Sequence, residues 1–405
     1  MTSGKLFERR ADYREPLLLI LLLFAILIPI WIFTNQFPWS ENVYNSYELQ
    51  AQSWLNGRLD VDYTEHLELA EYGGRYYVSF PPFPSYLMLL PVLLFGHGFD
   101  GWLQLLASCM GLYYTYRLTC EFTSSRERRM LFTILVFLGS NVLFNTASNG
   151  WVWFLAQNLG FALSMMGLYY GCRGQIGRAM FCVVAAAGCR PFMTLCLPAV
   201  IYMLRIARQN EAKPLKQMLA EGLVKSIPAL LLGLSYMLLN WLRFGNVFEF
   251  GHNYLEEFMS YEHGQFHISY LLPNLKSLIR LPYFENGRLV IPAFNGICIF
   301  LVSPVFGAAL IYWLRAIIRR SGNVWINLMI PLLTLIHLLL LCSHATMGGY
   351  HFGNRYTNDL LPLVYLGLLW NLGGRGLFER LLYPAAFFGI LINALGTVAY
   401  FTGLI

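Results

Sequence analysis

Few residues in this chain have the type and setting for chemistry. Glu41 follows a long apolar segment by about seven residues, with Asn42, Tyr44 and Asn45 close behind. A carboxylate held at a membrane surface is placed to take a proton from a hydroxyl as general base. The same carboxylate would equally complement the dipole of a helix starting there. Arg190 lies between two short apolar segments and precedes Pro191. A guanidinium in that setting is costly without an anion or carbonyl partner. Arg355 sits in His351-Phe352-Gly353-Asn354-Arg355-Tyr356, and its planar fork of donors suits phosphate oxygens. The alternative partner is Asp359, four residues on. Glu249-Phe250-Gly251-His252-Asn253-Tyr254 adds polar groups able to bind an acceptor. A divalent cation has no convincing ligand motif; His263 and His267 stand four apart but read more readily as structural.

The elements that position these groups follow from composition. The chain has 405 residues, 57% apolar and 12% charged, with mean hydropathy +0.51. Soluble chains carry about 25% charged residues. That difference excludes a soluble enzyme, a disulfide scaffold, a coiled coil and a disordered protein, and nothing suggests a nucleic-acid partner. The eight cysteines fall in apolar runs or short basic connections and read as small core residues. Crossing roughly 30 Å of hydrocarbon takes about 17–25 residues. Such runs are expected near 16–34, 101–118, 130–147, 151–171, 178–189, 192–205, 224–243, 291–314, 324–343, 359–374 and 381–402, about eleven helices. The first reads as a signal anchor, because Phe33, Thr34, Asn35 and Gln36 follow it in place of a small-residue cleavage pattern.

With the N-terminus in the cytoplasm, 20 of the 28 basic residues fall in cytoplasmic segments, among them Lys5, Arg9, Arg10 and Arg375, while 14 of the 22 acidic ones fall outside. The positive-inside rule therefore places two long loops, 35–100 and 244–290, on the extracytoplasmic face. Residues 41–56 space Tyr44, Tyr47, Trp54 and Leu55 as an amphipathic surface helix closed by Gly57. Residues 83–95 are apolar but too short to span, and predict a juxtamembrane helix. Between them, Tyr76-Tyr77-Val78-Ser79-Phe80-Pro81-Pro82 is stiffened by its prolines, giving either a sugar platform or an interfacial anchor.

The order of these segments resembles the GT-C superfamily of polyprenyl-phosphate-dependent glycosyltransferases, in particular protein O-mannosyltransferases and lipid A aminoarabinose transferases. The resemblance is carried by Glu41-Asn42-Val43-Tyr44, Asn56-Gly57-Arg58-Leu59, Tyr77 to Phe83 with Pro81-Pro82, Phe95-Gly96, and Arg355-Tyr356 with Pro362. It covers residues 35–205 and 345–365. Ser40 stands where the family often has an acid beside Glu41, and Phe80 stands where it has a lysine before the paired prolines. Arg190 and Arg355 are the substitutes available for that lysine. The resemblance implies an all-α integral membrane protein, a single GT-C-like bundle over 1–405 without a separate soluble domain. It implies a polyprenyl-phosphate-linked sugar as donor and a glycan, lipid or protein hydroxyl as acceptor. Glu41 would be the base and Arg355 and Arg190 would hold the donor phosphate. Tyr44, Tyr77, Glu249, His252, Tyr254, His351 and Tyr356 would contact substrate. One displacement would invert the anomeric centre, by analogy with inverting glycosidases. Asp60-Val61-Asp62 looks like the metal–nucleotide motif of nucleotide-sugar transferases. That motif works in a soluble α/β domain, so here it reads as a surface turn. A lipid flippase or transporter, or a non-catalytic partner subunit of the same fold, is the competing reading. Transporters concentrate polar groups near the membrane midplane, whereas here they crowd the outer loops.

Overall fold

The computed structural model describes residues 13–405, apart from 66–67, 212, 321–322 and 374–375; Lys5, Arg9, Arg10 and Arg375 lie outside the described residues. Among the described residues, five helices are long and apolar enough to cross a membrane. They are α1 (Arg14–Thr34), α7 (Val152–Cys172), α11 (Ile227–Phe244), α16 (Val324–Cys342) and α18 (Leu377–Phe401). Helix α4 (Asp100–Cys120) is as long as α1 but buries Gln104, Ser108, Thr115 and Thr119. The remaining expected spans are shorter or broken. Residues 126–146 form α5 (Arg126–Thr133), a π-helical turn over Ile134–Leu138, and α6 (Val142–Thr146). Next come α8 (Ile176–Ala187), a 3₁₀ turn Pro191–Cys196 leading into α9 (Leu197–Ala207), and α10 (Leu215–Lys225) ahead of α11. The span expected over 291–314 begins only at Ile299. Residues 291–298 are not helical, and α14 (Ile299–Val302) is parted from α15 (Val305–Ile318) by Ser303-Pro304. A 3₁₀ turn Arg355–Leu360 opens α17 (Leu361–Trp370).

Helix α7 is the axis of the bundle. In its most apolar stretch 89% of residues are buried, against 33% in each of the other four long helices, whose outward leucines and phenylalanines suit a lipid surround. It packs chiefly on α4, α8 and α9. Helix α18 crosses the π-helical turn at a point only glycine permits, since a Cβ on Gly389 would lie 2.2 Å from the Gly139 carbonyl oxygen. At the end of the bundle carrying the starts of α1, α5 and α18, two ion pairs join those helices. Arg128 binds Glu379 at 2.6 Å. Arg129 Nε donates to Glu15 at 2.8 Å, and Tyr116 donates to the same carboxylate at 3.0 Å. Because Glu15 is 2% exposed, it needs both partners to offset its lost hydration.

The two long loops build a cap on the opposite end. The first holds α2 (Ser46–Leu55), the hairpin β1 (Leu69–Tyr72) with β2 (Arg75–Val78), and α3 (Phe83–Phe95). The second holds α12 (Glu256–Met259), α13 (Leu271–Ser277) and the hairpin β3 (Tyr283–Glu285) with β4 (Arg288–Val290). The two hairpins correct the all-α expectation. Short strands bounded by Gly73-Gly74 and Asn286-Gly287 close through positive-φ turns. The juxtamembrane helix over 83–95 is present as expected. Helix α2 begins at Ser46, so Glu41 lies five residues before it and does not cap it.

Candidate active site

Where the cap meets α7, α16 and α17, a cavity of about 300 Å³ opens. Its roof comes from Phe80 and Pro81, held because the Phe83 amide donates to the Gly188 carbonyl at 2.9 Å and Arg243 donates to the Val78 carbonyl at 2.9 Å. One wall is the second loop, stitched to the end of α16 by backbone bonds from Ala345 to Gln265 and from His267 to Ser343, both 2.8 Å. The opposite wall is Trp153, in the first turn of α7.

Arg190 lines this chamber, and Arg355 lies behind the lining, its guanidinium 5.0 Å from the centroid of the Tyr356 ring that Arg190 also meets. Arg190 occupies the break between α8 and the following 3₁₀ turn. Its Nε donates to Asp359 Oδ2 at 2.9 Å and its Nη2 lies 2.9 Å from the same oxygen, and its guanidinium lies 4.8 Å from the Tyr356 ring centroid. Asp359 thus pairs with Arg190, not with Arg355 four residues earlier. The 3₁₀ turn rotates the 355 and 359 side chains away from the i,i+4 alignment of an α-helix. Arg355 instead donates to the Gly348 carbonyl at 2.7 Å. Its Nη1 is buried with no hydrogen-bond partner. The Arg355 loop requires glycine at its base: a Cβ on Gly296 would fall 1.7 Å from the Gly353 carbonyl oxygen, and the Ile297 amide donates to that same oxygen at 2.8 Å.

The histidines of the chamber are neutral. Burial pushes His252 down to about 4, and its ring meets Phe80 edge-on at 5.4 Å. Burial pushes His344 down to about 3; its Nδ1 lies 2.7 Å from the Thr346 carbonyl and its Nε2 lies 3.2 Å from Gln265 Nε2.

Glu68 was not singled out from sequence. Trp153 donates its indole N–H to Glu68 Oε2 at 3.0 Å, so the carboxyl stands beside the chamber wall. Burial raises its proton affinity, and nearby Glu257 adds to the rise while Arg355 opposes it. Burial raises Glu257 as well. Two carboxyls thus face one arginine, and no motif in the sequence joins positions 68, 257 and 355.

The other expected residues are dispersed. Tyr356 and His252 line the chamber. Glu249 also lines it, but its carboxylate accepts from the Gly251 amide and from Asn253, both at 2.6 Å, and closes a turn. Tyr44 packs between Trp151 and Trp153, 4.7 Å from each. Tyr77 is buried against Phe244, and Tyr254 packs on Phe244 and Tyr72; neither lines the chamber. His351 is fully buried, its amide donating to the Ala293 carbonyl at 3.0 Å, and it too is absent from the lining. Glu41 is exposed and borders a second cavity, of about 370 Å³, with Glu48, His97 and Asp100. The two cavities have no described lining residue in common. Arg58 spans Asp60 and Asp62 at 3.0 and 2.8 Å and holds the Asp60 carboxyl below its usual range. Among the described residues, no three His, Cys, Asp or Glu side chains gather as a metal site; the His263 and His267 rings pack against each other at 4.0 Å, tilted by 32°.

The crystal structure of ArnT from Cupriavidus metallidurans in the apo state matches this architecture with a TM-score of 0.52. The match covers 95% of this chain and 76% of that one at 14% sequence identity. At that identity the likeness is one of fold: this chain shares the fold of ArnT, and its long apolar helices fit a multi-pass membrane protein. No protein-family model matches the sequence, and neither does any curated protein.

Proposed function

We propose that this chain is a membrane glycosyltransferase that moves a sugar from a polyprenyl-phosphate donor to an acceptor hydroxyl on the extracytoplasmic face. The observation that carries this reading is the arginine pair at the chamber: Arg190 lines it, Arg355 meets the same Tyr356 ring from behind the lining, and Arg355 keeps one buried donor unpaired. A buried, unsatisfied guanidinium N–H costs stability unless an anion completes it, and a lipid phosphate is the anion that arrives in the plane of a membrane. The acceptor oxygen attacks the anomeric carbon, the bond from that carbon to the phosphate oxygen breaks, and lipid phosphate leaves with the bonding pair. Charge developing on the departing phosphate is met by Arg355 and Arg190. The acceptor proton passes to a carboxylate. Glu41 is the choice that the family resemblance suggests. The geometry favours Glu68, which accepts from Trp153 of the chamber wall and whose proton affinity burial raises, as suits a general base.

Purified protein incubated with a panel of polyprenyl-phosphate sugars and candidate acceptors should release lipid phosphate. Sugar lipid that binds or crosses a vesicle membrane uncleaved would instead support the flippase reading. The orientation has its own test. Cysteines introduced at Asn56 and Ser260, both exposed on the cap, should react with a membrane-impermeant thiol reagent in intact cells. Labelling that appears only after lysis would invert the topology.

A further inference from the structure

A third cavity, of about 450 Å³, opens at the capped end of the bundle. It lies where the end of α18, the start of α7 and the chain just beyond α1 meet, and its lining includes Gln36, Trp151, Tyr350, Tyr400 and Phe401. None of its described lining residues is charged, and none also lines the chamber. Ring contacts join the two sites instead. Trp153 lines the chamber and donates to Glu68, and its ring centroid is 4.7 Å from that of Tyr44. Tyr44 is in turn 4.7 Å from Trp151. Trp151 is 5.3 Å from Phe401, and Phe401 is 5.1 Å from Tyr400. The file is clamped at its middle. The Val152 amide donates to the Tyr44 carbonyl at 3.1 Å, and Asn42 donates to the Gly150 carbonyl at 3.0 Å. The first loop is thereby tied to the chain on both sides of Trp151.

The file suits a ligand with apolar faces and a hydroxylated edge. Tyr44, Trp151 and Trp153 are each only half-buried, so ring surface is left to pack against. Gln36 keeps its buried side-chain oxygen without a hydrogen-bond partner, which costs stability until a donor completes it. Tyr400 donates to the Tyr350 carbonyl at 3.1 Å, and its hydroxyl oxygen retains the capacity to accept. A sugar ring meets both demands. Its C–H faces pack on the electron-rich faces of aromatic rings, and its hydroxyls donate and accept at the edge. An extended peptide needs open backbone, but the backbone here is already paired, the His351 amide donating to the Ala293 carbonyl at 3.0 Å. A lipid chain has no donor for the Gln36 oxygen.

We infer that the acceptor is a glycan, with its reacting hydroxyl in the chamber beside Glu68 and a following sugar in the outer cavity, over Trp151 and Tyr400. The inference rests on the glycosyltransferase reading of the chamber. It narrows the acceptor from any hydroxyl to a carbohydrate of more than one unit, laid along Trp153, Tyr44 and Trp151.

The test measures binding to the full-length protein in detergent. The probes are short linear oligosaccharides of the common hexoses and N-acetylhexosamines, undecaprenyl phosphate, and undecaprenyl-phosphate glucose. Saturation-transfer NMR reads oligosaccharide binding even where it is weak. Trp151→Ala should weaken the oligosaccharides by about tenfold and leave undecaprenyl phosphate unchanged. Tyr350→Ala, made at a position 72% exposed where folding is safe, should do the same. Oligosaccharide affinity that is unchanged in both variants overturns the assignment. An equal loss of oligosaccharide and undecaprenyl phosphate also overturns it, because the damage then reaches the chamber. A loss confined to undecaprenyl-phosphate glucose overturns it as well, since the cavity then holds the donor's own sugar. Unaltered protein that binds the undecaprenyl lipids but no oligosaccharide defeats the glycan acceptor alone. Unaltered protein that binds oligosaccharide but neither undecaprenyl lipid defeats the donor reading instead.

Discussion

Glu68→Gln should lower turnover by about 10²–10⁴-fold, the range for removing a general base, while Glu41→Gln should stay within a few-fold of the unaltered protein. Glutamine keeps an oxygen to accept from the Trp153 indole, so the chamber wall should stand and donor affinity should hold. What is lost is the ability to take a proton. The pH profile gives an independent readout. Burial raises the Glu68 carboxyl above its usual 4.5, and a base works only when deprotonated. The acidic limb of kcat/KM should therefore lie above pH 4.5 and should vanish with Glu68→Gln. Glu257→Gln removes a neighbouring charge that helps to raise Glu68, so it should shift that limb toward lower pH and leave the plateau standing. If Glu41→Gln abolishes turnover and Glu68→Gln does not, the base belongs to the second cavity and the assignment reverses.

The helical layout was largely legible, because a span announces itself by an unbroken apolar run and most of these runs survive as helices within a few residues. The runs that misled are instructive. Residues 291–298 are apolar enough to read as membrane, yet they form irregular backbone that turns at Asn295-Gly296 through positive φ, with Phe294 bridged to Tyr350 and Ile297 bonded to Gly353. Composition cannot tell a buried β-like segment from a helix start when the partner lies some 55 residues away. The hairpins went unread because three- and four-residue strands carry too few alternations to register. At the site, Arg190 and Tyr356 were legible as costly or aromatic residues in unusual places, and His252 as part of a polar cluster. Asp359 was visible as well, but only as an alternative partner for Arg355, because i,i+4 logic assumes an α-helix and the segment is 3₁₀. Glu68 was invisible for a different reason. Its significance comes from Trp153 and Arg355, which are 85 and 287 positions away, and it sits among ordinary loop acids at 65 and 71. Pairing across such distances is a property of the fold.

Asp359→Asn should cost about 2–4 kcal/mol of stability and lower the melting temperature, without abolishing lipid-phosphate binding. Asp359 is 1% exposed and its partner Arg190 19%. Removing the carboxylate leaves a largely buried cation uncompensated, and breaking a fully buried pair typically costs about 3–5 kcal/mol. The lower figure reflects the solvent that reaches Arg190 through the chamber. Asparagine can still accept one hydrogen bond, but it carries no charge to balance the guanidinium. In the unliganded protein Asp359 holds Arg190 through a single oxygen, so an arriving phosphate must share that arginine with it. Freed of the competition, Arg190 should bind the phosphate at least as tightly, and saturating lipid phosphate should restore part of the lost melting temperature by binding only the folded state. Arg190→Gln should do the opposite. It strands Asp359 and also removes a phosphate donor, so stability and affinity should fall together and added lipid should rescue little. Arg355→Lys separates the two arginines further: it keeps the charge but loses the fork, so affinity should drop with only a small change in melting temperature. The decisive comparison is lipid-dependent thermal stabilisation across the three variants. Were Asp359→Asn to lose lipid rescue as completely as Arg190→Gln, the pair would act as one structural unit, and Arg190 would have no separate part in holding phosphate.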